Sequence, residues 1–356
     1  MGGRSTGPSW SPARAEEHLG SLELFGRRFG LERMRRMMVA LGSPQAGLRA
    51  IHVLGTNGKS SSTRMIAEIL RRHGLRTGAY LSPHLTSYAQ RIQVCGRDID
   101  RADFARAVQR ACAAAEHVNH TLDDDDHVTQ FELLSAAAIW ELARREVDVA
   151  VIEAGLGGRY DATSVIDASI CVLTTVGLEH TRWLGPTVAD IAAEKLAALR
   201  ERATLVLGPA IGGEVLALAR RAAADRGSEL VQAHMPPPGE AAQAAVAPSF
   251  QRRNLALARL AAERQLGELG IALREEALAE QGTLIAVPGR FERVGDRPTT
   301  IFDGAHNPDA AAALAESVRA CFPGARVALV LGVLEDKDAV GMLRELLPLC
   351  ERAWFT

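Results

Sequence analysis

A glycine-rich run, Gly55-Thr56-Asn57-Gly58-Lys59-Ser60-Ser61, separates an apolar stretch at 50–54 from a helical pattern at 60–73. Strand, glycine turn and helix in that order make an anion site. Backbone N–H groups and a helix N-terminus face the anion, and a lysine reaches its outer oxygens. The full phosphate-loop pattern has glycine five positions before Gly58, where Val53 stands, so a shortened Gly-x-x-Gly-Lys-Ser core is present. Three more candidates stand at the ends of apolar runs: Ser82 after 77–81, Glu153 within 147–154, and His180 after 168–176. In a parallel sheet such positions converge on one crevice. A hydroxyl, a carboxylate and an imidazole there would hold a hard cation beside phosphate oxygens. Each also has an ordinary structural use: Ser82 caps the turn before Pro83, Glu153 ends a strand, and His180 packs. Imidazole is also an unusual magnesium ligand, so spacing alone leaves both readings open.

Lysine is rare. Lys59, Lys195 and Lys337 are the three in the chain, which leaves 38 of the 41 basic residues as arginine. Coding bias explains the scarcity. It does not explain the settings, which are Gly58-Lys59-Ser60, Ala193-Glu194-Lys195 and Glu335-Asp336-Lys337-Asp338. A lysine amine can lose its proton and be modified, whereas a guanidinium stays charged.

The elements that must position these residues alternate. A helical pattern covers about 12–41, and helices follow over 60–73, 101–118, 130–145, 187–200, 213–226 and 250–266. Strands are expected at 50–54, 77–81, 147–154, 168–176, 203–207 and 229–233. That alternation predicts an α/β fold with a doubly wound, mostly parallel sheet. Residues 1–13 read as a disordered tail and 235–248 as a low-complexity loop. Asp123–Asp126 reads as a solvated loop, because four consecutive carboxylates cannot all face one ion. The stretch 287–295, with Pro288 and Gly289, reads as a domain boundary. Strands at 299–305, 326–332 and 352–356 and helices at 309–321 and 338–347 then restart the alternation. The expected division is 1–13 tail, 14–288 nucleotide-binding domain, and 289–356 a smaller Rossmann-like α/β domain. At about 60 residues the last is marginal alone and reads as incomplete.

Bulk properties exclude several classes. The net charge of −2 gives no general pull toward nucleic acid or an anionic membrane. The five cysteines (Cys95, Cys112, Cys171, Cys321 and Cys350) form no Cys-x-x-Cys pair, which argues against a zinc ribbon or redox dithiol and for a reducing compartment. The first residues carry no apolar run of a leader, and no long uncharged apolar stretch exists. The expected location is the cytoplasm.

Seven blocks occur in one order: Gly55-Thr56-Asn57-Gly58-Lys59, Ser82-Pro83-His84-Leu85, Glu153-Ala-Gly-Leu-Gly-Gly-Arg-Tyr-Asp161-Ala-Thr-Ser, Glu179-His180-Thr181, Ala193-Glu194-Lys195, Pro288-Gly289-Arg290-Phe291, and Phe302-Asp303-Gly304-Ala305-His306-Asn307-Pro308. Together they resemble the folylpolyglutamate synthase/dihydrofolate synthase family of the Mur ligase superfamily, from about Phe25 onward. The resemblance implies a ligase that uses ATP and Mg²⁺ to add L-glutamate to folate polyglutamates, dihydropteroate or both, through an acyl phosphate. It implies that Gly55, Thr56, Asn57, Gly58, Lys59, Ser60, Ser61, Asn254, Arg290 and Asp303 bind ATP. It implies Ser82, Glu153 and His180 as metal ligands, Asp161 near the pterin, and His306 near the incoming glutamate. It further implies that Lys195 is carbamylated and helps hold a second ion, and that the protein is a monomer.

The chain departs from the family at three places. Leu196-Ala197-Ala198 follows Lys195 where the family has Ala-Gly-Ile, the 235–248 stretch is short, and the second domain ends early. Lys337 matches a family motif without a role. A cell-wall Mur ligase would need a further N-terminal domain, for which there is no room before Gly55. A non-catalytic nucleotide-binding remnant stays as the other alternative.

Overall fold

The computed structural model describes residues 9–24, 30–123, 125–235, 248–278 and 287–356. Most of the expected tail, Phe25, Asp124 and nearly all of the 235–248 loop lie outside them.

Strand β1 (Ala50–Leu54) is buried along its whole length, as the run Ala-Ile-His-Val-Leu requires. It lies between β5 (Val149–Glu153) and β6 (Ala168–Leu173) in an eight-stranded sheet of order β4-β3-β2-β5-β1-β6-β7-β8. β2 (Thr77–Tyr80), β7 (Thr204–Leu207) and β8 (Glu229–Gln232) run parallel with these. β3 (Ile92–Val94) and β4 (Arg97–Asp98) close one edge as an antiparallel hairpin. The mostly parallel, doubly wound expectation therefore holds. Alternate residues of each strand enter opposite layers. Ile51 and Val53 pack with helices α3 (Lys59–Arg72) and α9 (Ser249–Glu268), whereas Ala50 packs with α1 (Pro12–Gly20), α2 (Glu32–Ala40), α4 (Arg101–Asn119) and α5 (Gln130–Arg144). Leu54 and Leu173 pack against α7 (Val188–Leu196) and α8 (Gly213–Asp225).

The expected helical stretch at 12–41 is two helices. Ser11 caps the first through Arg14 N, and at its other end the Ser21 hydroxyl donates to His18 O. The helix expected at 187–200 ends at Leu196, one residue past Lys195, and a short α6 (Thr181–Leu184) precedes it. The acidic run is not wholly solvated. Asp126 is buried, and its Oδ1 accepts from Arg33 Nη1 at 2.6 Å, while Arg33 Nε also reaches Glu132 at 3.0 Å. This ion triad ties α2 to the start of α5.

Past the sheet, the 287–295 stretch contains a strand that the sequence reading did not anticipate. β9 (Glu292–Asp296) pairs antiparallel with β10 (Thr299–Phe302). α10 (Pro308–Cys321) and α11 (Ala339–Leu346) pack on one face of a parallel pair, β11 (Val327–Leu331) and β12 (Cys350–Phe355). Among the described residues β10 joins β9 rather than β11, so the alternation is as expected but the three strands do not share one sheet. Val330, Trp354 and Phe355 on the parallel pair are exposed. Phe291 joins the parts: its ring lies 6.5 Å from Phe250 of α9 and 6.2 Å from Phe322.

Candidate functional site

Parallel register brings the strand ends together. Val53 pairs with Glu153 and Leu54 with Leu173, so the glycine loop, Glu153 and Thr174 emerge side by side. The loop is pinned to the segment after β6. Thr56 N donates to Thr175 O at 2.8 Å and Asn57 N to Thr175 Oγ1 at 3.0 Å, while Asn57 O accepts from Thr174 Oγ1 at 2.7 Å. Gly55 is required here: at φ 144° a Cβ would sit 1.9 Å from Thr174 Oγ1. Gly58, at φ 88°, precedes α3 with no side-chain cap, and a Cβ there would meet Asn254 Oδ1 at 2.5 Å. The first N–H groups of α3 are thus left for a ligand. Lys59 Nζ folds back over the loop and donates to Gly55 O and Thr56 O, both at 3.0 Å.

Glu153 stands beside this helix start. It is 1 % exposed and accepts from Ser60 Oγ at 2.9 Å and from Ser82 N at 3.1 Å. Both donors are neutral, and burial raises its carboxyl above the usual range despite the opposing charge of Lys59. His180, in the left-handed region at φ 52°, begins α6, and burial lowers its pKa and so favours neutral imidazole.

The second part of the chain supplies the opposite wall. Asn307 and Asn57 exchange amide hydrogen bonds of 3.1 and 2.9 Å. His306 Nε2 lies 2.7 Å from Glu179 Oε1, and its Nδ1 lies 2.9 Å from Gly304 O. Partial burial would raise the Glu179 carboxyl, but the His306 hydrogen bond and nearby Lys59 outweigh it and bring the group down to about 2. Asp303 accepts from Phe291 N at 2.7 Å and Ala305 N at 2.8 Å, which fixes the turn carrying Arg290.

Asn57, Lys59, Glu153, Glu179, Asp303 and His306 line one cavity of about 620 Å³. Of the residues expected from sequence, Thr56, Asn57, Gly58, Lys59, Ser60, Ser61, Ser82, Glu153, His180, Asn254, Arg290, Asp303 and His306 face it. Gly55 does not line it; its carbonyl holds Lys59. Lys195 and Asp161 do not line it, because both sit behind the 155–160 loop. Lys195 is 2 % exposed, donates to Leu156 O at 2.7 Å, and is driven to about 7 by burial first and by the charge of Lys59 second. Asp161 accepts from Gly157 N at 2.8 Å and from Thr163 N at 3.0 Å, and its Oδ1 also takes the Thr163 hydroxyl at 2.6 Å. Thr163 in turn meets His52 Nε2 at 2.8 Å. The hydroxyl proton goes to Asp161, so His52 is the donor in that second bond.

Sequence reasoning assigned no role to Glu179, Asn307, Arg253 or Asp309. Glu179 and Asn307 were adjacent to candidates. Arg253 and Asp309 line the cavity from α9 and α10, and no local pattern marks them.

Comparison with known proteins agrees with this arrangement. Residues 289–356 match the family model described as Mur ligase, glutamate ligase domain. The dihydrofolate synthase/folylpolyglutamate synthase of Bacillus subtilis is 32% identical over 345 residues, covering 90% of this chain and 79% of that protein. The Escherichia coli protein of the same name is 33% identical over 324 residues, covering 88% and 74%. A solved complex described as FPGS with AMPPCP and folate superposes with a TM-score of 0.87 at 29% identity, covering 97% of this chain and 89% of that one. The chain therefore belongs to the dihydrofolate synthase/folylpolyglutamate synthase family.

Proposed function

We propose that this protein is an ATP-dependent ligase that joins L-glutamate to a pterin-bearing carboxylate, taking dihydropteroate, folates that end in glutamate, or both. The observation that carries this reading is one cavity lined by a lysine-bearing phosphate loop, a buried carboxylate and the 303–309 loop of the second domain. The nucleotide phosphates would lie on the N–H groups of residues 56–61, with Lys59 swinging from its loop carbonyls onto phosphate oxygens. Arg290 and Asn254 would flank the nucleotide, and Asp303 holds the Arg290 turn. The acceptor carboxylate attacks the γ-phosphorus and ADP leaves, giving an acyl phosphate. The α-amine of glutamate then attacks the acyl carbon, phosphate departs, and an amide remains. Both steps place negative charge on oxygen, which Lys59 and Arg290 would stabilise. Because the walls come from two parts of the chain, closure would exclude the water that hydrolyses the acyl phosphate. His306, held by Glu179, would face the incoming glutamate, and Asp161 would act toward the pterin by fixing the 157–161 turn.

The donors present fit magnesium. Glu153 is a buried carboxylate with neutral partners, Ser82 adds a hydroxyl, and His180 is a neutral imidazole. Phosphate oxygens and water would complete such a shell. When bound, the ion would neutralise phosphate charge. Lys195 supports the carbamate reading in a specific way. An amine brought to about 7 is substantially neutral at physiological pH, so it can add to carbon dioxide, releasing one proton. Its reach toward a second ion would pass Gly157, where a Cβ would sit 3.3 Å from Nζ. In this reading the ligase works as a monomer in the cytoplasm.

The test is incorporation of labelled glutamate with ATP, Mg²⁺ and each acceptor. Product with at least one acceptor, abolished in Lys59→Ala, is expected. Folded protein that forms no product with either acceptor refutes the reading.

A further inference from the structure

A second cavity of about 290 Å³ adjoins the first and shares Ser60, Pro83 and Arg290 with it. Its walls are apolar at Leu81, Leu85, Val287 and Pro288. Two guanidinium groups line it: Arg290 on the rim shared with the first cavity, and Arg64, one helical turn after Ser60 on the same face of α3. The Arg64 guanidinium makes no hydrogen bond or ion pair among the described residues. Asp98 lines the same space, but its Oδ1 accepts from Gln93 Nε2 at 2.6 Å. Burial lowers the pKa of Arg64, with Asp98 and Glu153 only partly opposing it. A desolvated guanidinium facing a cavity is a strong site for a planar anion.

We propose that this side cavity holds the free α-carboxylate of an acceptor ending in a glutamyl residue, and that Arg64 determines specificity for such acceptors. The inference rests on the ligase reading above and deepens it. Dihydropteroate has one carboxylate, which reacts. A glutamyl acceptor has two, separated by three carbons: the γ-carboxylate reacts and the α-carboxylate must be held ionised nearby. The shared rim has the right position for that. Ser60 Oγ is 2.9 Å from Glu153 Oε1 on one side, and Arg64 lies one turn along the same helix on the other. A guanidinium grips a carboxylate through two parallel N–H donors, which a lysine cannot reproduce.

The experiment measures KM for tetrahydrofolate, dihydropteroate, glutamate and ATP in the wild type, Arg64→Met and Arg64→Lys. In Arg64→Met, KM for tetrahydrofolate rises about 10- to 100-fold, while the other three stay within about twofold. Arg64→Lys recovers part of the loss, because it keeps the charge without the fork. Normal turnover of dihydropteroate in the same sample shows that the variant is folded. If Arg64→Met does not fold, the Lys variant alone must still show the selective loss. An equal rise for both acceptors, a rise for glutamate or ATP instead, or no change in either variant overturns the assignment. So does a wild type that uses dihydropteroate but not tetrahydrofolate, which leaves the ligase reading standing. A wild type that uses neither acceptor fails the ligase reading itself.

Discussion

The amide pair Asn57–Asn307 joins the phosphate loop directly to the first turn of α10, and its energetic role can be isolated. The two hydrogen bonds measure 3.1 and 2.9 Å and are neutral. Such bonds contribute about 0.5–1.5 kcal/mol each, and partial burial places the pair at about 1–2 kcal/mol. Asn307 has a second duty, since its Oδ1 caps α10 by accepting from Ala310 N at 2.9 Å. Asn307→Ala therefore loses the bridge and about 1 kcal/mol of capping, whereas Asn57→Ala loses the bridge alone. A double-mutant cycle on kcat/KM for ATP, read from glutamate incorporation, cancels the cap and any contact Asn57 makes with nucleotide. The expected coupling is about 1 kcal/mol, near fivefold. Asn307→Asp keeps the cap and removes the donor to Asn57 Oδ1, so it should fall between wild type and Ala. Effects additive within about 0.3 kcal/mol would mean that the pair carries no coupling between loop and second domain.

Other outcomes follow from single contacts. Gly55→Ala should reduce kcat/KM for ATP about 100-fold, by about 2–3 kcal/mol of strain and lost loop bonding. Adding Thr174→Ala should restore part of this, because Thr174 Oγ1 is the atom in the way; no restoration would refute the steric account. Arg33→Met should destabilise the protein by about 3–5 kcal/mol in urea unfolding, because it leaves Asp126 and Glu132 buried without their cation; a loss under about 1 kcal/mol would show that water reaches the pair. The folded pKa of Lys195, about 7, lies below its ordinary 10.5. Between those values the unfolded chain holds more protons, so the contribution of this group to stability rises as pH climbs. By pH 9 the gain over pH 7 is roughly 2 kcal/mol. Lys195→Met should lack that increment, and equal pH slopes in both proteins would contradict it. Lys195→Arg should lose activity that bicarbonate cannot restore.

The parts of the site that sequence made legible are those where chain order and spatial order coincide. In a parallel sheet the residue after each strand must reach the same edge, so the loop after β1, Ser82 after β2, Glu153 on β5 and His180 beyond β6 were legible as one cluster before their neighbours were known. The block around Asp303 and His306 came from family resemblance, because nothing local says that a distant segment returns to the same cavity. The side of a loop on which a residue lies was also not legible. Asp161 and Lys195 belong to blocks as distinctive as the rest, yet both turn behind the 155–160 loop, one bonding the turn and the other Leu156 O. β9 was hidden because Gly295 breaks the two-residue period within it and Pro288 and Gly289 just before it read as a boundary. The Asp126–Arg33 pair was hidden by separation: a carboxylate in an acidic run looks solvated until a cation 93 residues earlier is folded against it.

The electrostatics of the cavity argue for an occupant that is anionic at one end and able to bring a cation to the other. Lys59 is satisfied by two carbonyls of its own loop, an arrangement that leaves its charge without a counterion in contact among the described residues. Glu153, on the wall of the same cavity, has the opposite condition, with a buried carboxylate and two neutral donors. Among the described residues the two make no ion pair, and Ser60 Oγ donates to Glu153 Oε1. A phosphate chain on the loop would take the ammonium from the carbonyls, and a divalent cation held with the help of Glu153 would offset the burial that raises this carboxyl. Each half raises the affinity of the other, so nucleotide and metal should bind with positive coupling. Glu153→Gln keeps the shape and removes the charge. It should therefore abolish the Mg²⁺ enhancement of nucleotide affinity in titration calorimetry while leaving metal-free nucleotide binding within about threefold. If the metal enhancement survives in that variant, the cation is held elsewhere and Glu153 is only a buried strut beneath the phosphate loop.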